Sequence, residues 1–159
     1  MIKQCQLQDI ESIYSVINDA ARAYREVIPP DCYHKPYMPI DELSREMQQM
    51  SFFGWQYEKQ LIGVMGFQRV KDVTLIRHAY VVTSRQRQGI GSRLLDYVRE
   101  LTETRRLLVG TWAGAGWAIE FYQKHGFHLL SDGGKLLRAY WCIPDRQIEV
   151  SVVLGLELF

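Results

Sequence analysis

The chain carries 159 residues, 47% of them hydrophobic and 12% aromatic, which suits a single domain (residues 1–159) with a real core and excludes an intrinsically disordered chain. Nineteen Lys and Arg against eighteen Asp and Glu leave a net charge of +1, so no global field recruits nucleic acid or an anionic membrane, and any anion site must be local. The opening MIKQCQLQDIES lacks the apolar run of a signal peptide and no later stretch approaches a membrane span, so a cytoplasmic protein is expected.

In chain order, Met1 to Leu7 reads as an edge strand and Asp9 as the cap of a helix, in which Ile10, Ile13, Tyr14, Val16, Ile17 and Ala20 recur at helical spacing as far as about Arg25. Pro29 and Pro30 end it. Ile28 to Ile40 holds four of the five prolines together with Tyr33, His34 and Tyr37, and reads as an extended, ordered loop. A second helix runs from Asp41, a cap candidate, to about Met50.

From Phe52 the period changes to two. Phe52 to Glu58 and Leu61 to Val70, around a turn at Lys59-Gln60, and then Val73 to Val82, predict an antiparallel meander. A helix from Ile90 to about Thr104 sets Leu94, Leu95, Val98 and Leu101 on one face. Leu107 to Trp112 fits a buried strand, Ala113-Gly114-Ala115-Gly116 breaks it, and Trp117 to Lys124 is helical. Phe127 to Leu130 returns to strand, Gly133-Gly134 marks a loop, and Ile148 to Leu156 is a last strand. The order predicts an α/β (α+β) fold: a mixed, mostly antiparallel central sheet flanked by helices. Cys5, Cys32 and Cys142 are odd in number and widely spaced, which favours free thiols over disulfides or zinc.

The most informative stretch is Ala79 to Leu95, AYVVTSRQRQGIGSRLL: an apolar strand, a polar loop closing on Gly89-Ile90-Gly91, and a helix. Without Cβ atoms at Gly89 and Gly91 the loop can curl and aim backbone N–H groups outward, ahead of a helix N-terminus that favours anions. Arg85, Arg87 and Arg93 add charge. A tight turn with solvated arginines explains the same residues, and Gly-x-Gly alone does not decide. There is no Gly-x-x-x-x-Gly-Lys loop and no third glycine of a dinucleotide fingerprint.

Ala118 to Phe127, AIEFYQKHGF, widens the context. With Gln86-Arg87-Gln88-Gly89-Ile90-Gly91 it resembles two linked signatures of the GNAT superfamily of acyl-CoA-dependent N-acyltransferases: Arg/Gln-x-x-Gly-x-Gly/Ala and, about thirty residues on, Ala-x-x-Phe-Tyr-x-x-x-Gly-Phe. The resemblance implies acetyl-CoA as donor, with CoA as product and no metal. It places the pyrophosphate on Gln86, Arg87, Gln88, Gly89, Ile90, Gly91 and Ser92, and the pantetheine arm beside Tyr80, Val81 and Val82. Trp117 and Phe121 join the cofactor-binding set, and the Tyr122 hydroxyl comes near the sulfur. Two places depart from the family: Ala115 stands where an Asn is common, and Arg77 and His78 lie where a glutamate often serves. No acidic residue occurs between Val73 and Gln88.

The reaction wants two proton-handling groups, because an alkylammonium of pKa about 10 must lose a proton and a thiolate whose thiol has a pKa of about 8.5 gains from an acid. Tyr122 is the candidate acid, against a plain core aromatic beside Phe121. His78 is the candidate base, against a hydrogen-bonded structural histidine. A backbone N–H near Val81 would polarise the thioester carbonyl. The expected activity is acetyl transfer to a primary amine of a small molecule or peptide, with Tyr33, His34, Tyr37 and Trp112 as candidate acceptor-binding residues or, alternatively, packed structure. A non-catalytic acyl-CoA-binding sensor or interaction module is the competing expectation. A homodimer is compatible with either.

Overall fold

The computed structural model describes residues 1–159, in the order β1 (Ile2–Gln4), α1 (Ile10–Ala20), α2 (Ile40–Met47), β2 (Ser51–Tyr57), β3 (Gln60–Val70), β4 (Val73–Val81), α3 (Ile90–Leu101), β5 (Arg106–Trp112), α4 (Gly116–Lys124), β6 (His128–Leu129), α5 (Gly133–Tyr140), α6 (Asp145–Glu149) and β7 (Ser151–Glu157). The strands form one seven-stranded sheet in the order β1-β2-β3-β4-β5-β7-β6, so the last strand of the chain lies between β5 and β6. The pairs β1–β2, β2–β3, β5–β7 and β6–β7 are antiparallel. The α/β expectation of a mixed sheet flanked by helices holds.

The chain forms two compact units, and β3 and β4 run from one into the other. The first contains Met1–Ala23, His34–Gln68 and Ile76–Thr102. Its core joins Ile13, Val16 and Ile17 of α1 and Leu43 of α2 to Phe52 and Val64 of the sheet, all buried. The helical spacing of α1 has this cause, because only the face that repeats every three to four residues meets the strands. Asn18, on the same helix, fixes the proline-rich loop: its side-chain oxygen accepts from Met38 N–H at 2.9 Å and its amide donates to Met38 O at 3.0 Å. The predicted ordered loop is thus held by paired backbone groups rather than by its prolines alone.

The second unit contains Tyr24–Tyr33, Arg69–Leu75 and Glu103–Phe159. Val73, Leu75, Leu108, Leu136, Leu137, Ile148 and Val153 form its buried cluster.

Local chemistry corrects several boundaries. Asp9 does not cap α1 with its side chain. It closes a 3-10 turn at Leu7–Asp9, accepting from Gln6 N–H at 2.7 Å and from Lys3 Nζ at 3.1 Å. Asp41 lies inside the first turn of α2, which Pro39 opens. The β2–β3 hairpin turns on Glu58 and Lys59, both left-handed at φ 48° and 65°, as a two-residue turn between right-twisted strands requires, and Gln60 already pairs with Tyr57.

The larger error lies near the C-terminus. Gly133-Gly134 opens helix α5 instead of a loop, and Ile148 belongs to α6 instead of the final strand. Two glycines cost a helix about 2 kcal/mol relative to alanine. Burial of Leu136 and Leu137 beside Val153 offsets this, and propensity yields to tertiary packing. No helix is long and apolar enough to cross a membrane.

Candidate active site

In the first unit, β4 ends at Val81 and a 3-10 turn at Thr83–Arg85 leads into the glycine loop. Asp19 of α1 anchors that turn, its carboxylate accepting from Thr83 N–H at 2.7 Å. Val82 N–H donates to Ile62 O on β3 at 2.9 Å, and strand alternation therefore points the N–H and C=O of Val81 to the opposite edge. There the Val81 carbonyl accepts from Gln86 Nε2 at 3.1 Å. A side chain thus reaches this carbonyl at the end of the strand.

The loop itself alternates hand. Arg87 has φ 64° and Gly89 φ 80°, on either side of Gln88, and α3 starts immediately afterwards with Arg93 N–H donating to Gly89 O at 3.1 Å. Left-handed residues alternating with extended ones are the backbone pattern that can gather N–H groups around an anion, and this loop has it at the positive end of a twelve-residue helix. A Cβ built on Gly89 meets no atom within 4 Å, so the space over the loop is open. A loop of this hand with open space above it could hold a diphosphate. The three arginines are not equivalent, as their sequence positions suggest they are. Arg85 lies 4.8 Å over the Tyr57 ring and Arg93 5.2 Å over the Trp55 ring, so both are parked on β2, and Arg87 is the exposed cation left at the loop.

A second cluster in this unit is one that the sequence hid. Glu46, on α2, accepts from Arg77 at 2.8 Å and lies 3.0 Å from His78 Nε2, both through Oε1. All three side chains are largely buried, with 13% of Glu46 and His78 and 21% of Arg77 exposed. Glu46 Oε2 has no hydrogen-bond partner.

Adjacent strand residues ordinarily face opposite sides, which would give Arg77 and His78 opposite faces. The structure corrects this, because His78 is left-handed (φ 55°) inside β4 and the alternation breaks there. Gly66 on β3 permits the break: a Cβ at that position would lie 3.0 Å from the Arg77 carbonyl. Phe52 stacks on the His78 ring at 6.0 Å and 12°. Burial pushes the Glu46 carboxyl up, but the His78 hydrogen bond and the His78, Arg77 and Arg45 charges outweigh it and hold its pKa below the usual value, so it is an anion at neutral pH.

Tyr37 meets Tyr80 edge to face, with ring centroids 6.4 Å apart, and the Tyr80 hydroxyl donates to that of Tyr37 at 3.5 Å. His34 is exposed and its Nδ1 donates to the Pro36 carbonyl at 2.9 Å.

In the second unit, Tyr122 is a buried residue of α4, in edge contact with Phe121 at 5.1 Å and Phe127 at 5.4 Å. Burial, with a smaller contribution from Tyr24, pushes its phenol far above the ordinary tyrosine value, so it keeps its proton across the whole working range. Trp117 is half exposed and packs on Tyr24 at 5.2 Å. Ala115, at the place of the family's Asn, is fully buried, and its carbonyl starts α4 by accepting from Ala118 and Ile119. Trp112 is buried at the end of β5, and Tyr33 is half-buried.

Residues 48–129, just over half the chain, match the family model described as Acetyltransferase (GNAT) domain. The chain belongs to the GNAT acetyltransferase family. Solved structures agree on the fold. A Streptococcus mutans UA159 protein superposes with TM-score 0.78 at 17% identity, covering 100% of this chain and 99% of its own. The PaiA N-acetyltransferase of Thermoplasma acidophilum, in complex with coenzyme A, gives 0.73 at 15%, covering 99% and 98%. The ribosomal-protein-S18-alanine N-acetyltransferase of Escherichia coli gives 0.70 at 18%, covering 99% and 93%.

Within the GNAT fold, Glu46 is the buried partner of Arg77 and His78 that sequence reasoning missed. It sits on an amphipathic helix as one of several exposed-looking charges, and nothing in residues 40–47 distinguishes it from Glu42 or Arg45. The only usable signal was indirect: a strand carrying Arg77 and His78 in succession needs a nearby anion if those side chains are buried. Cys5 has no such role in this GNAT chain, since burial pushes its thiol up to about 11.

Proposed function

We propose that the chain is an N-acetyltransferase, residues 1–159 acting as one catalytic domain, that moves the acetyl group of acetyl-CoA directly to a primary amine of a small molecule or peptide. The observation that carries this reading is the loop at Arg87 to Gly89, whose two left-handed residues stand ahead of α3 under open space. The coenzyme A bound to the Thermoplasma fold neighbour supports the choice of ligand. Gln86 through Ser92 hold the pyrophosphate, Tyr80, Val81 and Val82 offer backbone to the pantetheine amides, and Trp117 and Phe121 supply apolar surface. Tyr33, His34, Tyr37 and Trp112 remain the acceptor-side candidates, of which Tyr37 has a defined neighbour in Tyr80.

When bound, acetyl-CoA supplies an acetyl group activated as a thioester. His78 accepts the proton of the incoming amine, and Val81 N–H donates to the carbonyl oxygen on which charge builds. Tyr122 would give its proton to the sulfur as the C–S bond breaks and the C–N bond forms, and would regain one from solvent before the next turnover. Glu46 supplies, through space, the acidic residue that β4 lacks, which weakens the reading as a non-catalytic binding module.

Release of CoA thiol, measured over a panel of primary amines and free peptide N-termini, tests the activity. Turnover with at least one amine is expected, and none across the panel leaves only acyl-CoA binding. Thermal denaturation tests the loop. Acetyl-CoA at a hundred times Kd stabilises by about 2.7 kcal/mol, and Gly89→Val should abolish most of that gain. A branched residue is strained at φ 80° and fills the cradle. Gly134→Ala, where a Cβ meets nothing within 4 Å, is the matched control and should keep the full shift.

A further inference from the structure

Asp41, on α2, lies 3.7 Å from Arg45 with both side chains more than two-thirds exposed. Glu46 is buried instead against two basic side chains of β4, and its position beside an imidazole constrains where that ring can carry hydrogen. A carboxylate at neutral pH can only accept. With His78 Nε2 3.0 Å from Glu46 Oε1, Nε2 must hold a hydrogen, both in the neutral ring and in the imidazolium. Nδ1 is then the nitrogen that gains and loses the exchangeable proton. Phe52, stacked at 6.0 Å and 12°, fixes the plane of the ring, and the left-handed backbone at His78 brings it to Glu46.

We propose that Glu46 is a positioning residue for His78: through Oε1 it keeps the hydrogen on Nε2, presents Nδ1 as the basic nitrogen that takes the amine proton, and stabilises the imidazolium so formed. The inference rests on the N-acetyltransferase reading. The proton moves from the amine nitrogen to Nδ1 and from there to solvent, with no change in oxidation state.

The charged groups around the pair set the sign of the effect. Arg77 on β4 and Arg45 on α2 are cations near Glu46, while Gln68 on β3, which accepts from Arg77 at 3.3 Å, and Phe52 on β2 are uncharged. Glu46 is the anion of this cluster. In Glu46→Gln the carboxylate is lost and Arg77 stays, so the imidazolium loses its counter-charge and keeps a neighbouring cation. The imidazolium is then less favoured than in wild type.

Two readouts on the same proteins decide it. Imidazole 15N chemical shifts against pH, with the His78 signal assigned by its absence in His78→Asn, report tautomer and ionisation whether or not an acceptor amine is in hand. Wild type is expected to show a hydrogen on Nε2 above the transition, and Glu46→Gln to lose its imidazolium form at lower pH than wild type does. The rate at low amine concentration against pH should show its acidic limb displaced by the same amount, with acetyl-CoA affinity unchanged. A hydrogen on Nδ1 in wild type, or a His78 titration unmoved in Glu46→Gln, overturns the proposal. A displaced titration with an unmoved acidic limb overturns it as well, because His78 is then held by Glu46 without taking the amine proton. The wild-type tautomer is read without any substitution, so the proposal stays exposed to disproof even if Glu46→Gln does not fold. Absence of turnover with every amine, alongside the expected tautomer, identifies the functional reading as the part that failed.

Discussion

Tyr122→Phe is expected to bind acetyl-CoA as wild type does and to transfer acetyl groups about 10² to 10⁴ times more slowly. The substitution removes one oxygen from a side chain that is buried and flanked by Phe121 and Phe127, so ring packing is retained. What disappears is the only proton the side chain can offer. Burial holds that proton on the phenol well past the ordinary tyrosine range, so ionisation of Tyr122 cannot produce a falling alkaline limb. Wild type should therefore keep its activity on the alkaline side until some other group titrates. Turnover of Tyr122→Phe at the wild-type rate would return the residue to a packing role. Reduced binding with an unchanged maximal rate would assign its oxygen to the cofactor instead.

His78→Asn is the second substitution with a large expected effect, again about 10² to 10⁴ in rate, from loss of the base. Asparagine is chosen over alanine because the position is left-handed, a conformation that Asn tolerates and a β-carbon without a polar tip does not favour. The variant should bind acetyl-CoA normally. Its residual activity should rise with pH toward the ionisation of the free amine, near 10, since only the already deprotonated fraction can attack. An acidic limb that stays where it is in wild type would mean that His78 is structural and that water or another group takes the proton.

The sequence was most legible where one period ruled. The α1 face from Ile13 to Ala20, the paired strands from Ser51 to Val70 and the apolar stripe of α3 each bury one face of a regular element, so periodicity alone located them to within a few residues. It failed where distant burial decides. Gly133-Gly134 signals a loop by propensity, and only the contact of Leu136 and Leu137 with the end of the chain makes it a helix.

The same division runs through the candidate site. Gln86 to Gly91 could be read because its chemistry is local: glycine, left-handed backbone and the start of a helix are neighbours in the chain. Glu46 could not, because thirty-two residues separate it from His78 and only the packing of α2 on the sheet makes them partners. The three loop arginines misled for the matching reason, since Trp55 and Tyr57, which hold two of them, lie on a strand far upstream.

The left-handed residue in β4 acts as a change of phase. Arg77, odd-numbered, points its side chain toward α2. From His78 onward the even-numbered side chains do, and Tyr80 and Val82 pack with Phe52 and Val64. Val81, odd, lies instead with Ile90 and Leu94 around Gly63. An unbroken pleat of identical composition would send Tyr80 away from Tyr37 and put Val81 in its place. The assignment of each side chain between residues 78 and 82 to one face or the other is thus written in a single backbone dihedral. Deleting His78 would remove the extra residue and the phase change together, so Tyr80 and Val82 would keep their face in an unbroken pleat.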